Sequence, residues 1–209
     1  LVVLLGLQAL LGMWTVTLLL KPLIVTLHLL GGLLTLALLW WLALPPARRD
    51  LKAAERPVRR LAIAGLVVLV VQITLGGWTS TNDSAVACPD FPKCQASWWP
   101  EADFARGFDP WHGLGINYEG GVLDHPARVA IHFTHRLGAL VATFLLLYVS
   151  IATLRRRQEA QSQWAAACVL AALFLQLLIG ILMVTRGFPL WLATAHNAGA
   201  TALLYVLVS

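Results

Sequence analysis

Six long apolar stretches, divided by short or polar connections, constrain this chain more than any other feature. They fall at about 1–20, 23–45, 61–78, 129–153, 164–184 and 190–209. Each is close to the roughly 20 residues that carry an α-helix across a bilayer. Inside lipid the backbone has no water to bond, so runs of this length are expected as helices that satisfy their own polar groups. The fold expected is therefore an all-α polytopic membrane protein with six visible transmembrane helices. A charged fraction of only 12% agrees with that class and not with a globular one. The first run has no basic leader and no small-residue cleavage site, so it reads as a span and not as a signal peptide. Leu1 already lies within an apolar run, and the chain reads as a piece of a longer protein.

Charge orients the spans. The connection 46–60 carries Arg48, Arg49, Lys52, Arg56, Arg59 and Arg60, and the one near 154–163 carries Arg155, Arg156 and Arg157. Both are expected on the cytoplasmic side. The long connection 79–128 and the tight turns at Lys21-Pro22 and Arg186-Gly187-Phe188-Pro189 then face outward. Seven of the ten acidic residues lie in that outer loop, so the net charge of +5 reflects topology, and no nucleic-acid partner is expected. Within the loop, Cys88 and Cys94 form a close pair outside the cytoplasm, where a disulfide is the favoured state. Two free thiols or half of a metal site are the alternatives. Cys168, in an apolar run, reads as a small packing residue.

A repeat runs through these spans. Three histidines are followed by small residues three and four positions on: His28 by Gly31 and Gly32, His135 by Gly138 and Ala139, His196 by Gly199 and Ala200. Positions i, i+3 and i+4 share one helix face, so each motif sets an imidazole beside a shallow patch on which a flat macrocycle could lie. The preceding span each time carries Gln-x-x-[Leu/Ile]-Gly, as Gln8–Gly12, Gln72–Gly76 and Gln176–Gly180. From glutamine to histidine the spacing is 20, 63 and 20 residues, the long middle value being the outer loop. Internal repeats of this kind place sites at repeat interfaces in membrane folds.

The order short, long, short implies a long unit before Leu1 and two pseudo-symmetric four-helix halves. Residues 61–209 are expected to form one complete half, with 79–128 as its outer loop and 46–60 as the basic linker. Residues 1–45 are then the last two helices of the other half, and the face of His28, Gly31 and Gly32 should be open to lipid instead of facing a second histidine. All three histidines are expected about six residues inside the outer ends of their helices, so His135 and His196 would stand at one depth. That arrangement suits two axial ligands to one haem iron; a buried histidine bonded to a neighbour is the alternative. His132 shares the face of His135 and would either bond a cofactor edge or reach the outer interface. Arg136, Arg128, Arg186 and Lys21 gather at the outer boundary, where they could pair with haem propionates or anchor the helices. His112 and His125 read as exposed loop histidines, and Trp40, Trp41, Trp98, Trp99 and Trp164 as interfacial belts.

Taken in this order and spacing, the motifs resemble the haem A synthase family over essentially the whole chain. The resemblance rests on Gly12-Met-Trp-Thr-Val-Thr with Pro22 and His28, on Gly76-Gly-Trp-Thr-Ser-Thr, and on the Cys88/Cys94 pair. It rests also on Ile131-His-Phe-Thr-His135-Arg136 and on Thr194-Ala-His196-Asn-Ala-Gly. It implies eight helices in two halves. It also implies a haem b cofactor held by His135 and His196, with Gly138, Gly199, Arg136 and His132 around it, and a substrate site for haem O at His28. The implied reaction oxidises a haem O methyl group to a formyl group in two steps. The implied setting is the bacterial cytoplasmic (inner) membrane, less so the mitochondrial inner membrane. Membrane lipid, haem O synthase and terminal-oxidase assembly factors would be the partners, with an electron acceptor that the sequence does not name. The family's first two helices, with their own histidine, E-x-x-H-R segment and cysteine pair, have no counterpart here, and His132 stands where the family's second half would match that glutamate. Two other readings share the same histidine spacing: a bis-histidine membrane cytochrome b for quinol-linked electron transfer, and a repeat-built transporter relaying protons.

Overall fold

A computed structural model describes residues 1–45, 56–155 and 160–208. Seven helices run in chain order: α1 (Val2–Thr17), α2 (Pro22–Ala43), α3 (Arg56–Thr81), the short α4 (Phe104–Gly107), α5 (His125–Arg155), α6 (Ala160–Thr185) and α7 (Leu190–Val208). The described residues hold no strand, only one isolated bridge between Cys94 and Ser97. Five helices, α2, α3, α5, α6 and α7, are long and apolar enough to cross a membrane. The chain is an all-α polytopic membrane protein. The first expected span is shorter than the apolar run, because α1 stops at Thr17. At 1.5 Å per residue it reaches about 24 Å. Of the cytoplasmic basic residues expected from sequence, Arg48, Arg49, Lys52, Arg156 and Arg157 lie outside the described residues.

Helices α3, α5, α6 and α7 pack in a ring, with α3 on α5, α5 on α6, α6 on α7 and α7 on α3. Helix α2 docks against α3 and α7, and α1 packs on α2. Away from the long loop, Leu69, Leu146, Val169, Leu173, Leu203 and Leu204 form one buried cluster that Ala37 of α2 joins. Trp40 of α2 stacks on Tyr205 of α7 with ring centroids 5.2 Å apart. Toward the loop, Thr26 and Thr81 are joined by a hydroxyl hydrogen bond of 3.2 Å. Large apolar side chains such as Val67, Phe144, Phe174 and Leu190 point outward and are exposed, as a lipid-facing surface requires.

The three outgoing helices end alike. The amides of Leu20, Ser84 and Phe188 donate to the carbonyls of Thr15, Thr79 and Met183 at 2.9 Å or less. One residue earlier, Leu19, Asp83 and Gly187 donate to Val16, Ser80 and Val184. This paired bonding closes the last turn with a left-handed residue, and φ is +52° at Leu19, +52° at Asp83 and +70° at Gly187. Pro22 and Pro189 then restart the chain as α2 and α7. The two returning helices after short turns therefore begin where the sequence places them. Helix α5 begins earlier than the apolar run, at His125, because Asp124 caps it and Pro126 suits its first turn.

The long loop is packed onto the helix ends. Cys88 and Cys94 are joined by a disulfide, Cα to Cα 4.7 Å, and both are buried. Arg136 of α5 reaches up into this ring of residues. It donates to the carbonyls of Cys88 at 2.7 Å and of Asp90 and Lys93 at 2.8 Å, and its Nε donates to His132 at 3.2 Å. Asp90 in turn accepts from the amides of Gln95 at 2.8 Å and Ala96 at 2.9 Å. Trp78 donates its indole N–H to Gly107 at 2.9 Å. Farther on, the loop crosses to the α1–α2 turn. Tyr118 N donates to Leu19 at 3.0 Å, and Lys21 donates to Gly113 at 3.0 Å while its ammonium lies over the Trp111 ring. Lys21, expected as an interfacial anchor, is only 2% exposed. Carbonyl and ring together replace the water it loses.

Two outcomes are expected. Leu19→Gly, which relieves a left-handed leucine with an exposed side chain, should stabilise the α1–α2 turn by about 1 kcal/mol, read as a higher melting midpoint in detergent; a lower midpoint would show that the Leu19 side chain matters more than its backbone. Burial works against the charge of Asp90, but the amides of Ala96 and Gln95 and the Arg136 guanidinium outweigh it and hold its carboxyl below the ordinary 3.8. Its ordering of the loop is thus complete above the ordinary carboxylate pKa and is lost only as pH falls through the lower folded value. The amide resonances of Gln95 and Ala96 should titrate with a midpoint below 3.8, and Asp90→Asn should abolish that titration.

Candidate functional site

The repeat seen in the sequence becomes one contact made three times. On each outgoing helix a glycine faces the histidine ring of the returning helix. A Cβ added at Gly12, Gly76 or Gly180 would stand 3.2, 3.0 or 3.1 Å from Cε1 of His28, His135 or His196. On each returning helix the glycine three residues after the histidine faces the glutamine. A Cβ at Gly31, Gly138 or Gly199 would fall on the side-chain amide of Gln8, Gln72 or Gln176. The pairs thus interlock reciprocally, each long polar side chain seated over the other helix's missing one. The surface opened by Gly31, Gly138 and Gly199 is therefore a helix contact filled by glutamine. Gly31 is thus covered by Gln8, which corrects the expectation that its face lies open to lipid; of the glycines in the three motifs, only Gly32 would meet nothing on gaining a Cβ.

Depth along the helices follows from the same lock. Gly12, Gly76 and Gly180 each stand five residues before the ends of their helices at Thr17, Thr81 and Thr185. The three rings thus share one level, about 7–8 Å from the outgoing helix ends. Counted from its own helix start, His135 is deeper than the six residues expected, because α5 begins at His125. The outgoing helix is the better ruler.

Hydrogen bonding fixes the rings further. Gln72 Nε2 donates to the carbonyl of His135 at 3.0 Å and lies 3.1 Å from its Nδ1. Gln176 Nε2 donates to the carbonyl of His196 at 2.9 Å. Nδ1 is enclosed without a full hydrogen bond in His28 and His196, whereas Nε2 is not an enclosed unpaired atom in any of the three. In the ring of helices α5 and α7 are the diagonal pair, and His135 and His196 are close enough to interact electrostatically. The two imidazoles stand at one level on the diagonal helices, each with Cε1 over a glycine and with its backbone carbonyl held by a glutamine amide. Among the described residues no three His, Cys, Asp or Glu side chains gather as a metal site.

The neighbours expected around this pair have other partners. Arg136, expected to meet a cofactor edge, has four of its five N–H groups engaged by His132 and by the carbonyls of the disulfide loop. His132 is buried, accepts from Arg136 and meets the Phe188 ring edge-on at 6.1 Å; it does not reach out to the interface. Arg128 faces Asp83 at 3.7 Å. His112 stands 3.9 Å from Asp109, and His125 and Arg186 are exposed. His28 sits in the same lock as the others, half-buried against Gly12 and Gln8. The glutamines were visible in the sequence as a repeat mark but not as partners of the histidines. Their equal 20-residue spacing in the two short hairpins was the signal.

Comparison with known proteins places this geometry. Residues 1–208 match the model of the COX15-CtaA family, described as cytochrome oxidase assembly proteins. The chain is similar to the Heme A synthase of Shewanella oneidensis, 40% identical over 97% of this chain and 61% of that protein. It is also similar to those of Caulobacter vibrioides, 31% identical over 96% of the chain and 57% of the relative, and of Chelativorans sp., 31% identical over 95% and 54%. The chain spans between 46% and 61% of the length of such curated relatives. Matching that family's model from residue 1 to residue 208, the chain belongs to the COX15-CtaA family of cytochrome oxidase assembly proteins.

Proposed function

We propose that this chain is the major part of a haem A synthase of the bacterial cytoplasmic membrane, with a haem b held between His135 and His196. The observation that carries this reading is the histidine pair at one level on the diagonal helices, each ring seated by the same glutamine–glycine lock. Names of relatives up to 40% identical support the activity. His135 and His196 would hold such a haem, and when bound it would supply one-electron transfer. Residues 61–209 form the cofactor half in this reading, and residues 1–45 contribute to the half that receives haem O.

The chemistry asked of the whole protein is the conversion of a ring methyl to a formyl group. It removes four electrons and four protons in two steps, with one oxygen atom entering as water in the net balance. His28 would hold the haem O ring so that its methyl group is presented for oxidation. His135 and His196 fix the orientation of the cofactor. Arg136 and His132 hold the disulfide loop over the end of the bundle, and the apolar cluster around Leu146 and Leu203 keeps water from the other end. Orientation and a dry surround are what a protein adds to cofactor chemistry.

Purified from membranes, the chain should show the absorption bands of a low-spin bis-histidine haem. His135→Ala and His196→Ala should each abolish them, whereas His28→Ala should leave them in place; an unchanged spectrum in the first two variants would sink the ligand assignment. Haem extraction separates synthase from a simple membrane cytochrome. Haem b accompanied by O-type or A-type haem supports the synthase, and haem b alone from full-length protein supports electron transfer without haem modification.

A further inference from the structure

The lock around His135 leaves a hydrogen bond unmade, and its completion has a consequence for the cofactor reading on which this inference rests. Gln72 Nε2 lies 3.0 Å from the carbonyl of His135 and 3.1 Å from Nδ1, while Gln72 Oε1 is enclosed with no partner. In that arrangement Nδ1 accepts, so the neutral ring carries its proton on Nε2. A ring so protonated offers no lone pair at Nε2, the one nitrogen that is not turned toward the glutamine. Ligation needs the other tautomer, with the proton on Nδ1 and an acceptor facing it. The orphaned Oε1 is that acceptor. A half-turn of the amide about its last side-chain bond exchanges oxygen and nitrogen without moving the helix. The His135 carbonyl that loses Nε2 remains in the ladder of α5. At His196 the same kind of atoms is left over: Nδ1 and Gln176 Oε1 are both enclosed with no partner, while Gln176 Nε2 donates to the His196 carbonyl.

We propose that Gln72 is a positioning residue for the cofactor: turned with Oε1 toward the ring, it accepts a hydrogen bond from Nδ1–H of His135 and holds the tautomer whose Nε2 binds iron. A stronger acceptor at that place draws the ring toward imidazolate, makes it a stronger donor and favours the ferric state. A lost acceptor does the reverse.

The test is the midpoint potential and the ferric low-spin electron paramagnetic resonance spectrum of the purified, haem-loaded protein. Gln72→Met should raise the potential. Gln72→Glu, which keeps the shape seated over Gly138, should lower it and move the spectrum toward the imidazolate type. A residue that only packs would alter haem content in both variants without moving the potential in opposite directions. A remote charge would lower the potential in Gln72→Glu and leave the spectrum where it was. Either of those results overturns the proposal. If Gln72→Met loses its haem, Gln72→Glu alone decides, since an unshifted spectrum there is fatal to it. A parent chain with no haem absorption overturns the cofactor reading and this one with it, whereas a loaded parent whose variants do not respond overturns only this one.

Discussion

Everything at the loop end of this molecule depends on how closely two helices approach at a glycine. In lipid the hydrophobic effect does not draw helices together, so association relies on packing and on hydrogen bonds between helices. The reciprocal seating of glutamine over Gly31, Gly138 or Gly199, and of histidine over Gly12, Gly76 or Gly180, supplies both at once. A side chain at any of these glycines would push the helices apart by displacing a buried polar group. The same contact that joins the helices also sets ring direction, so structure and site cannot be altered separately.

The bundle is divided by polarity along its length. At one end Leu69, Leu146, Leu173 and Leu203 make an apolar plug. At the other lie the three histidines, with Thr26, Thr79, Asn82 and Ser84 buried nearby. The loop closes that polar end with backbone carbonyls that accept from the guanidinium of Arg136 and the ammonium of Lys21 on the helices. Charge-assisted bonds of this kind are among the stronger ones available. Arg136 follows His135 directly in the sequence, so the turn of helix that carries the ring is fastened to the disulfide loop by its next residue.

Much of this was legible from residues alone. Apolar runs located the helices, five of them long enough to span, and the Gln–Gly and His–Gly spacings disclosed the repeat. The cysteine pair was readable as a disulfide because six residues separate its members within a loop assigned to the oxidising side. What escaped has physical reasons. Helix α5 begins above its apolar run because backbone bonding continues past hydrophobic content, given Asp124 and Pro126. Leu19 and Asp83 occupy left-handed caps that sequence rules reserve for glycine, and only Gly187 announced its turn. The glycine patches looked bare because their filling comes from another helix 20 or 63 residues away. The burial of Lys21 depends on Trp111, which no local pattern joins to it.

The unequal spacing of the three locks bears on the order of assembly. Closing a flexible connection costs entropy that grows with the logarithm of its length. Between 20 and 63 residues the difference is about 1 kcal/mol. The first and third hairpins meet their partners as soon as two neighbouring helices lie side by side. The middle hairpin has to gather a long polar segment first. Bonding Cys88 to Cys94 shortens the wandering part of that segment, and the carbonyls it sets in place are those that Arg136 then grips. Closing that disulfide would thus favour the meeting of Gln72 with His135.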